Sequence, residues 1–363
     1  MTVTTVAVAH GPGELRVEQV PLHPPPPLGG TLAVEACGVC GTDLEILGRA
    51  GLGRDLGPVV LGHEMVGTVA ALGEGAAARW GVAVGDRIAV EEFIPCHDCE
   101  RCRAGAHQLC ARTDLRAAQP FLRYGATPLA RPPGLWGGFA EHLHLHPDAI
   151  IHPLPTGLDA ELATLFVPVG NGLHWVGDVA RGWQGEALAV FGPGLHGLGC
   201  VVAGHAVGMS PIVVFGLASD MARAQAALSL GADRFVAVDD PAGRADLRRR
   251  FDVVVDVTPA DVSVLPWILD VVRVRGRIVF ASGSGADGLA PAALMRHELR
   301  AFGVRGRDRA SAASALDLLA ADPDRYAPLC THRIGLADLP AQLPALPRPE
   351  VVHATVVPPH STG

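Results

Sequence analysis

Ala187 to Cys200 reads A-L-A-V-F-G-P-G-L-H-G-L-G-C. Ala187 to Phe191 runs apolar without a break, as a parallel strand buried on both faces requires. Gly192, Gly194 and Gly197 follow at G-x-G-x-x-G spacing. Leu198 to Val207 is small and apolar, suited to a helix packed tightly on a sheet. That glycine pattern is weak evidence alone, but informative between a strand and a helix. Gly192 permits the tight turn, Gly194 lets backbone approach a pyrophosphate, and Gly197 lets helix and strand touch. Free N–H groups at the helix start favour phosphate. Gly192, Gly194, Leu195, His196 and Gly197 are therefore candidate dinucleotide-binding residues.

Strand, Gly-rich turn and helix repeat outward from this stretch, from the Pro153-Leu154-Pro155 break to about residue 298. Strands are expected at Ile212–Phe215, Phe235–Val238, Val253–Val257 and Arg277–Ala281, with a helix from Met221 to Leu230 stopped by Gly231. This is a doubly wound parallel sheet. An NAD site usually has an acid at the end of the second strand, for the ribose 2′-hydroxyl. Here Gly216 stands there, followed by Ser219 and Arg223. Without the acid, Ser219 or Arg223 is free to bind a 2′-phosphate, so NADP(H) is favoured over NAD(H).

The chain before this region is mostly β. Short strands are expected at 3–9, 31–36, 59–61, 66–71 and 82–90, the last with a Gly-Asp turn at Gly85-Asp86, and a polyproline connector near Pro24. His142, His144 and His146 share one strand face by period two. An exposed polar face is expected of them, with a metal tract as the alternative. The irregular stretch from Ala111 to Gly138 is long enough to be functional, and Leu115 to Trp136 is expected to contribute to a pocket. A helix from Ala310 to Leu319 and a final strand, V-V-H-A-T-V-V, are expected to return to the first domain.

Glu35 to Val66 carries the chemistry: Cys40, His63, two carboxylates (Asp43 and Glu64) and the Thr42 hydroxyl. Sulfur plus imidazole is the donor set zinc prefers, and a catalytic site needs only two or three protein ligands. Cys96, Cys99, Cys102 and Cys110 form a C-x2-C-x2-C-x7-C array. Four thiolates in so short a loop suit a closed tetrahedral zinc site. An iron–sulfur cluster is the alternative, disfavoured because no proline follows the last cysteine. Cys37, Cys200 and Cys330 read as small core residues.

The bulk numbers set limits. With 363 residues, two domains are the default. A net charge of −8 provides no basic field for nucleic acid or anionic lipid. The N-terminus lacks a signal-peptide pattern and no apolar run is long enough to span a membrane. A cytoplasmic, reducing location is expected, where cysteines serve metal more than disulfides. All 29 basic residues are arginine. Schiff-base and P-loop chemistry, which need a lysine, are excluded.

Taken together, C-G-V-C-G-T-D at 37–43, G-H-E at 62–64, the cysteine array, G-G-F-A-E-H at 137–142 and G-P-G-L-H-G-L-G at 192–199 resemble the zinc-dependent alcohol dehydrogenases of the medium-chain dehydrogenase/reductase superfamily. The resemblance spans essentially the whole chain. It implies an α/β architecture: a GroES-like, mostly-β catalytic domain (1–153 and 299–363, with a structural zinc lobe at 91–112) and an inserted Rossmann domain (154–298). It further implies hydride transfer between an alcohol, or its ketone or aldehyde, and a nicotinamide, in a homodimer or homotetramer. Cys40, His63 and Glu64 then match catalytic zinc ligands, Glu64 being the acid that ligates or exchanges. Asp43 matches the carboxylate that orients the histidine, and Thr42 the hydroxyl that bonds the reacting oxygen. Glu45 stands where many relatives carry a proton-relay histidine, and is read either as that relay or as a solvated residue. Val167 stands where relatives supply a further ligand. Asn171, on the same helix, is a cofactor-binding candidate, and His174 is read as packing. Val167 also suggests the alternative, a catalytically impaired binding or regulatory protein. A zinc-ribbon nucleic-acid binder fits the cysteines but neither the acidic balance nor the glycines.

Overall fold

The structure, a computed structural model, describes residues 2–48, 56–115, 121–240, 243, 245–259, 262–281, 288–346 and 348–359. Part of the expected pocket loop, 116–120, lies outside the described residues. In chain order the strands are β1 (Val3–Gly11), β2 (Glu14–Pro21), β3 (Gly30–Gly38), β4 (Val59–Val60), β5 (Glu64–Leu72), β6 (Arg87–Val90), β7 (His142–Leu145) and β8 (Ile151–Pro153). Then come β9 (Leu188–Phe191), β10 (Ile212–Gly216), β11 (Arg234–Ala237), β12 (Phe251–Asp256), β13 (Val272–Phe280), β14 (Arg300–Gly303), β15 (Cys330–Gly335) and β16 (His353–Val357).

The six strands β11-β10-β9-β12-β13-β14 form one sheet in that order, and every pairing is parallel. The order reverses at β9, so a crevice opens beyond its carboxyl end, where ligands bind in doubly wound sheets. Alternation explains the layers. Leu188 and Val190 of β9 join one apolar cluster with the helix Leu195–Ala206. Ala189 and Phe191 join another on the opposite face with Val264 and Ile268. Burying each such large side chain contributes roughly 1.5–3 kcal/mol, which is why β9 carries no polar residue.

The sheet reaches beyond residue 298, where the sequence reading ended the inserted domain. Arg300–Gly303 pairs with β13, and the helix Arg309–Ala321 buries Ala312, Ala315, Leu316 and Leu319 in the cluster of Leu188 and Val190. Backbone pairing and apolar burial act here without a motif to announce them. The final strand does return: β16 pairs antiparallel with β3 through Val356 and Cys37.

The mostly-β part holds a sheet β15-β16-β3-β5-β6-β8, with β7 also on β3, and a smaller sheet β2-β1-β4. Two expectations need correction. Residues 82–86 are not strand: Ala83 N donates to Asp86 Oδ2 at 2.7 Å and Gly85 takes φ +96°, which makes a turn before β6. The histidine face is not an exposed polar surface either. His144 is buried, edge-on to Trp136 at 5.0 Å, and His146 lies 6.0 Å from the same ring. His142 Nδ1 meets Thr4 Oγ1 at 2.8 Å. His144 and His146 are packing partners for an indole brought over by the 123–136 loop, which period-two counting could not foresee.

Candidate active site and cysteine lobe

β3 and β5 pair antiparallel with Gly38 opposite Glu64. This register brings the loop after β3, with Cys40, against His63 and Glu64 at the start of β5. The Cys40 Sγ and one ligand atom each of His63 and Glu64 lie within 4.8 Å of one another. Asp43, wholly buried, ties the set together. Its Oδ2 accepts from Cys40 N at 2.9 Å, its Oδ1 accepts from Gly62 N at 3.1 Å, and that oxygen sits 3.3 Å from His63 Nδ1. With Nδ1 held, Nε2 is left for a metal. Burial opposes a charged His63, yet the charge and hydrogen bond of Asp43 raise its proton affinity well above the ordinary range.

Glu64 Oε2 is buried without a hydrogen-bond partner. Burial pushes the Glu64 carboxyl up to about 7, against the opposing pull of His63. A sealed, unpartnered carboxylate oxygen is costly unless a cation completes it. Together with a thiol and an imidazole it is the donor set of a zinc site. Val167 is buried within the apolar cluster of the parallel sheet and has no donor atom. Thr42 Oγ1 lies 3.9 Å from Cys40 Sγ. Glu45 is exposed on the helix Gly41–Gly48.

Cys40 and Glu64 line the same cleft, of about 330 Å³, as Gly194, Leu195, His196, Gly197 and Arg223. Two of the three candidate ligands and the glycine turn therefore face one space. Gly192 holds φ +104°, and a Cβ on Gly197 would lie 1.9 Å from Gly192 O, so neither position admits a side chain. Gly216 is equally constrained, since a Cβ there would lie 2.8 Å from Pro193 Cγ and 2.9 Å from the Phe235 ring. The usual acid does not fit. Ser219 is exposed beyond it. Arg223 is held by Asp220 Oδ1 at 3.1 Å and Val351 O at 3.1 Å. Asn171 is buried off the cleft, 3.5 Å from Arg307. His174 forms a separate cluster with Asp178 and Asp308, at 3.3 and 3.5 Å, rather than apolar packing.

The four cysteines of the array converge, their sulfurs all within 4.8 Å of one another. Backbone N–H groups point at the sulfurs: Cys96 N at Cys110 Sγ (3.3 Å), Cys99 N at Cys96 Sγ and Ala111 N at Cys99 Sγ (both 3.4 Å). The N–H of Ala111 and of Cys102 bring the Cys99 thiol down to about 6. Such donors stabilise thiolates, the form that binds metal, and the cluster fits a closed four-sulfur zinc site.

Several residues here belong to none of the sequence motifs. Trp175 lies 5.4 Å from His196, the two rings tilted by 32°, and its Nε1 donates to Gly306 O at 2.8 Å. Burial brings His196 down to about 4, so it stays neutral beside the glycine turn. Arg307, buried, pairs with Glu91, which also meets His152 at 3.1 Å. Glu92, buried beside it, is gripped by Arg123. Two successive acids directly after the apolar strand β6 were the sequence signal for Glu91 and Glu92.

Comparison with known proteins agrees with this geometry. Residues 30–156 match the alcohol dehydrogenase GroES-like domain. The chain is 38% identical over 357 residues to a probable alcohol dehydrogenase of Mycobacterium tuberculosis, covering 94% of each. It is 29% identical to an erythritol/L-threitol dehydrogenase of Mycolicibacterium smegmatis, covering 77% of this chain and 76% of that one. Among solved structures, 2R,3R-butanediol dehydrogenase of Bacillus subtilis superposes with a TM-score of 0.79 at 26% identity, covering 98% of this chain and 100% of that one. A nucleotide-type sheet joined to a GroES-like metal-site domain defines a two-domain oxidoreductase. The chain belongs to the zinc-dependent alcohol dehydrogenases of the medium-chain dehydrogenase/reductase superfamily. Among the described residues no helix is long and apolar enough to cross a membrane.

Proposed function

We propose that the chain oxidises a small alcohol, or reduces the corresponding ketone or aldehyde, with zinc and a nicotinamide dinucleotide, NADP(H) in preference to NAD(H). The observation that carries this is the shared cleft: Cys40 and Glu64 line the same space as Gly194 and Gly197. When bound, zinc supplies a Lewis acid that lowers the pKa of an alcohol, and the nicotinamide a hydride acceptor. Cys40, His63 and Glu64 would hold the ion, and Asp43 would fix two of them. Thr42 Oγ would accept the hydroxyl proton and pass it out along the helix towards exposed Glu45, its i+3 neighbour. His196, neutral against Trp175, would wall the nicotinamide end and exclude water.

The cofactor preference is supported by Gly216, where an acid that would repel a 2′-phosphate is sterically barred, and by Arg223 lining the cleft. Cys96, Cys99, Cys102 and Cys110 would hold a second, structural zinc. The test follows reduced-nicotinamide absorbance with a panel of alcohols and both dinucleotides. Alcohol-dependent reduction that chelation abolishes supports the reading, and turnover surviving complete zinc removal refutes the metal's role. A kcat/KM at least about tenfold higher for NADP, falling in Arg223→Ala, supports the preference; a higher value for NAD refutes it.

A further inference from the structure

Gly38 ends β3 between two neighbouring strands. It stands opposite Glu64 of β5 on one side and Thr355 of β16 on the other. A Cβ on Gly38 would strike Glu64 Oε2 and would lie 2.9 Å from His353 Cε1. Side chains from β5 and β16, which do not pair with each other, therefore meet over β3. They can do so because the residue between them has no side chain.

Each brings an orphaned atom to this place. Glu64 Oε2 and His353 Nδ1 are both buried without a hydrogen-bond partner. Elsewhere His353 is well held. Its Nε2 lies 2.8 Å from Thr164 Oγ1, and its carbonyl accepts from Thr331 Oγ1 at 3.0 Å. Nδ1, bonded to Cε1, borders the edge of the ring turned to Gly38. Buried polar groups are nearly always paired, so two orphans over one glycine point to each other. The cleft is lined by Glu64 and Ala354 but not by His353. His353 therefore stands behind the carboxylate, away from the substrate.

Donor and acceptor roles decide what the two can do together. A carboxylate only accepts, whereas a hydroxyl both donates and accepts. Burial of His353, 1% exposed, disfavours a charged imidazole and leaves one N–H to place. The single hydrogen of Thr164 Oγ1 has two acceptors in reach, Glu161 O at 2.6 Å and His353 Nε2 at 2.8 Å. When it serves Nε2, Nδ1 carries the imidazole hydrogen and can donate to Glu64. Glu64 thus has two partners available: an ion shared with Cys40 and His63, and the imidazole behind it.

We propose that His353 is a positioning residue for the metal centre, donating from Nδ1 to Glu64 Oε2 when that carboxylate leaves the ion. Glu64 then has two resting places, and its departure opens a coordination position for the substrate oxygen. Gly38 is the gap that lets the two side chains reach each other. The inference rests on Cys40, His63 and Glu64 being metal ligands.

The test places cobalt(II) at the catalytic site, where visible absorption reports the ligands, and titrates imidazole as the added ligand. His353→Phe fills the place of the ring without a donor and leaves Glu64 on the ion. Imidazole affinity is expected to fall by about tenfold. His353→Asn, whose NH2 can stand where Nδ1–H does, is expected to keep affinity within about threefold of wild type. In a Glu64→Ala background, His353→Phe is expected to change nothing. Wild-type affinity in His353→Phe, equal losses in the Phe and Asn variants, or a loss that persists without Glu64 overturns the proposal. Should His353→Phe fail to fold, histidine nitrogen NMR of zinc-loaded wild type saturated with imidazole decides it, the His353 signal being assigned by its absence from His353→Asn. The Nδ1–H tautomer supports the proposal and a bare Nδ1 overturns it. Metal uptake confined to the four-cysteine cluster and unaltered by Glu64→Ala refutes the ligand reading instead.

Discussion

Asp43 Oδ1 lies 3.3 Å from His63 Nδ1 while Oδ2 of the same buried carboxylate accepts from the backbone N–H of Cys40. One side chain thus sets the orientation of two candidate ligands contributed by different elements. Asp43→Asn would turn an amide NH2 towards either the Cys40 and Gly62 donors or His63, leaving a donor facing a donor. Zinc affinity is expected to fall by about 10- to 100-fold, measured by competition with a chromophoric chelator. Unchanged affinity would show that Asp43 does not orient the site.

Gly194 and Gly197 separate binding from folding. A Cβ on Gly194 meets nothing within 4 Å and would project where the cleft is open, whereas one on Gly197 would strike Gly192 O at 1.9 Å. Gly194→Ala is expected to keep its melting temperature and weaken dinucleotide binding by about tenfold or more, since the backbone no longer approaches the pyrophosphate. Gly197→Ala is expected to lose about 3 kcal/mol of stability or more through overpacking against backbone. Thermal melts and dinucleotide titration read both. Equal melting losses would contradict the assignment of Gly194 to the binding surface.

Metal analysis of purified protein is expected to find about two zinc ions per chain. Cys102→Ser, in the buried part of the four-sulfur cluster, should reduce this to about one. The lobe has little apolar core of its own, so metal binding energy becomes local folding energy. Limited proteolysis between Cys96 and Cys110 should therefore accelerate in the variant or under chelation. A lobe equally resistant without metal would argue against this role.

His144 links stability to pH. Burial brings its imidazole down to about 4, whereas an unfolded histidine titrates near 6.5. Between those values the unfolded chain binds more protons, so stability rises with pH. The contribution is fully present above about 6.5 and is lost as pH falls towards 4. It amounts to roughly 3 kcal/mol. Denaturant melts of wild type and His144→Gln across this window should converge at low pH, with the variant's curve flatter. Parallel curves would show that His144 does not titrate in this way.

Much of the architecture was legible locally. The apolar run Ala187–Phe191, with its glycines, needs only burial on both faces and a tight turn, which nearest neighbours specify. The cysteine array was legible because four thiolates within one short loop close on each other without long-range help. The histidine tract misled for the opposite reason. Period two told which residues share a face, but Trp136, which covers that face, arrives through a loop. The sheet's extension to Arg300–Gly303 was missed because a short edge strand carries no pattern beyond its pairing partner.

By itself, the amino-acid order determined the residue types able to hold metal and phosphate, the two-part organisation and the absence of lysine chemistry. Only the tertiary structure decided that Cys40, His63 and Glu64 converge through the β3–β5 register, that Gly216 has no room for an acid, and that Arg123 grips the buried carboxylate of Glu92. Spacing along a chain encodes turns and faces, because those depend on neighbours in sequence. A carboxylate's charge state and partner depend on what packs against it from segments dozens or hundreds of residues away, and such contacts exist only once the chain has folded.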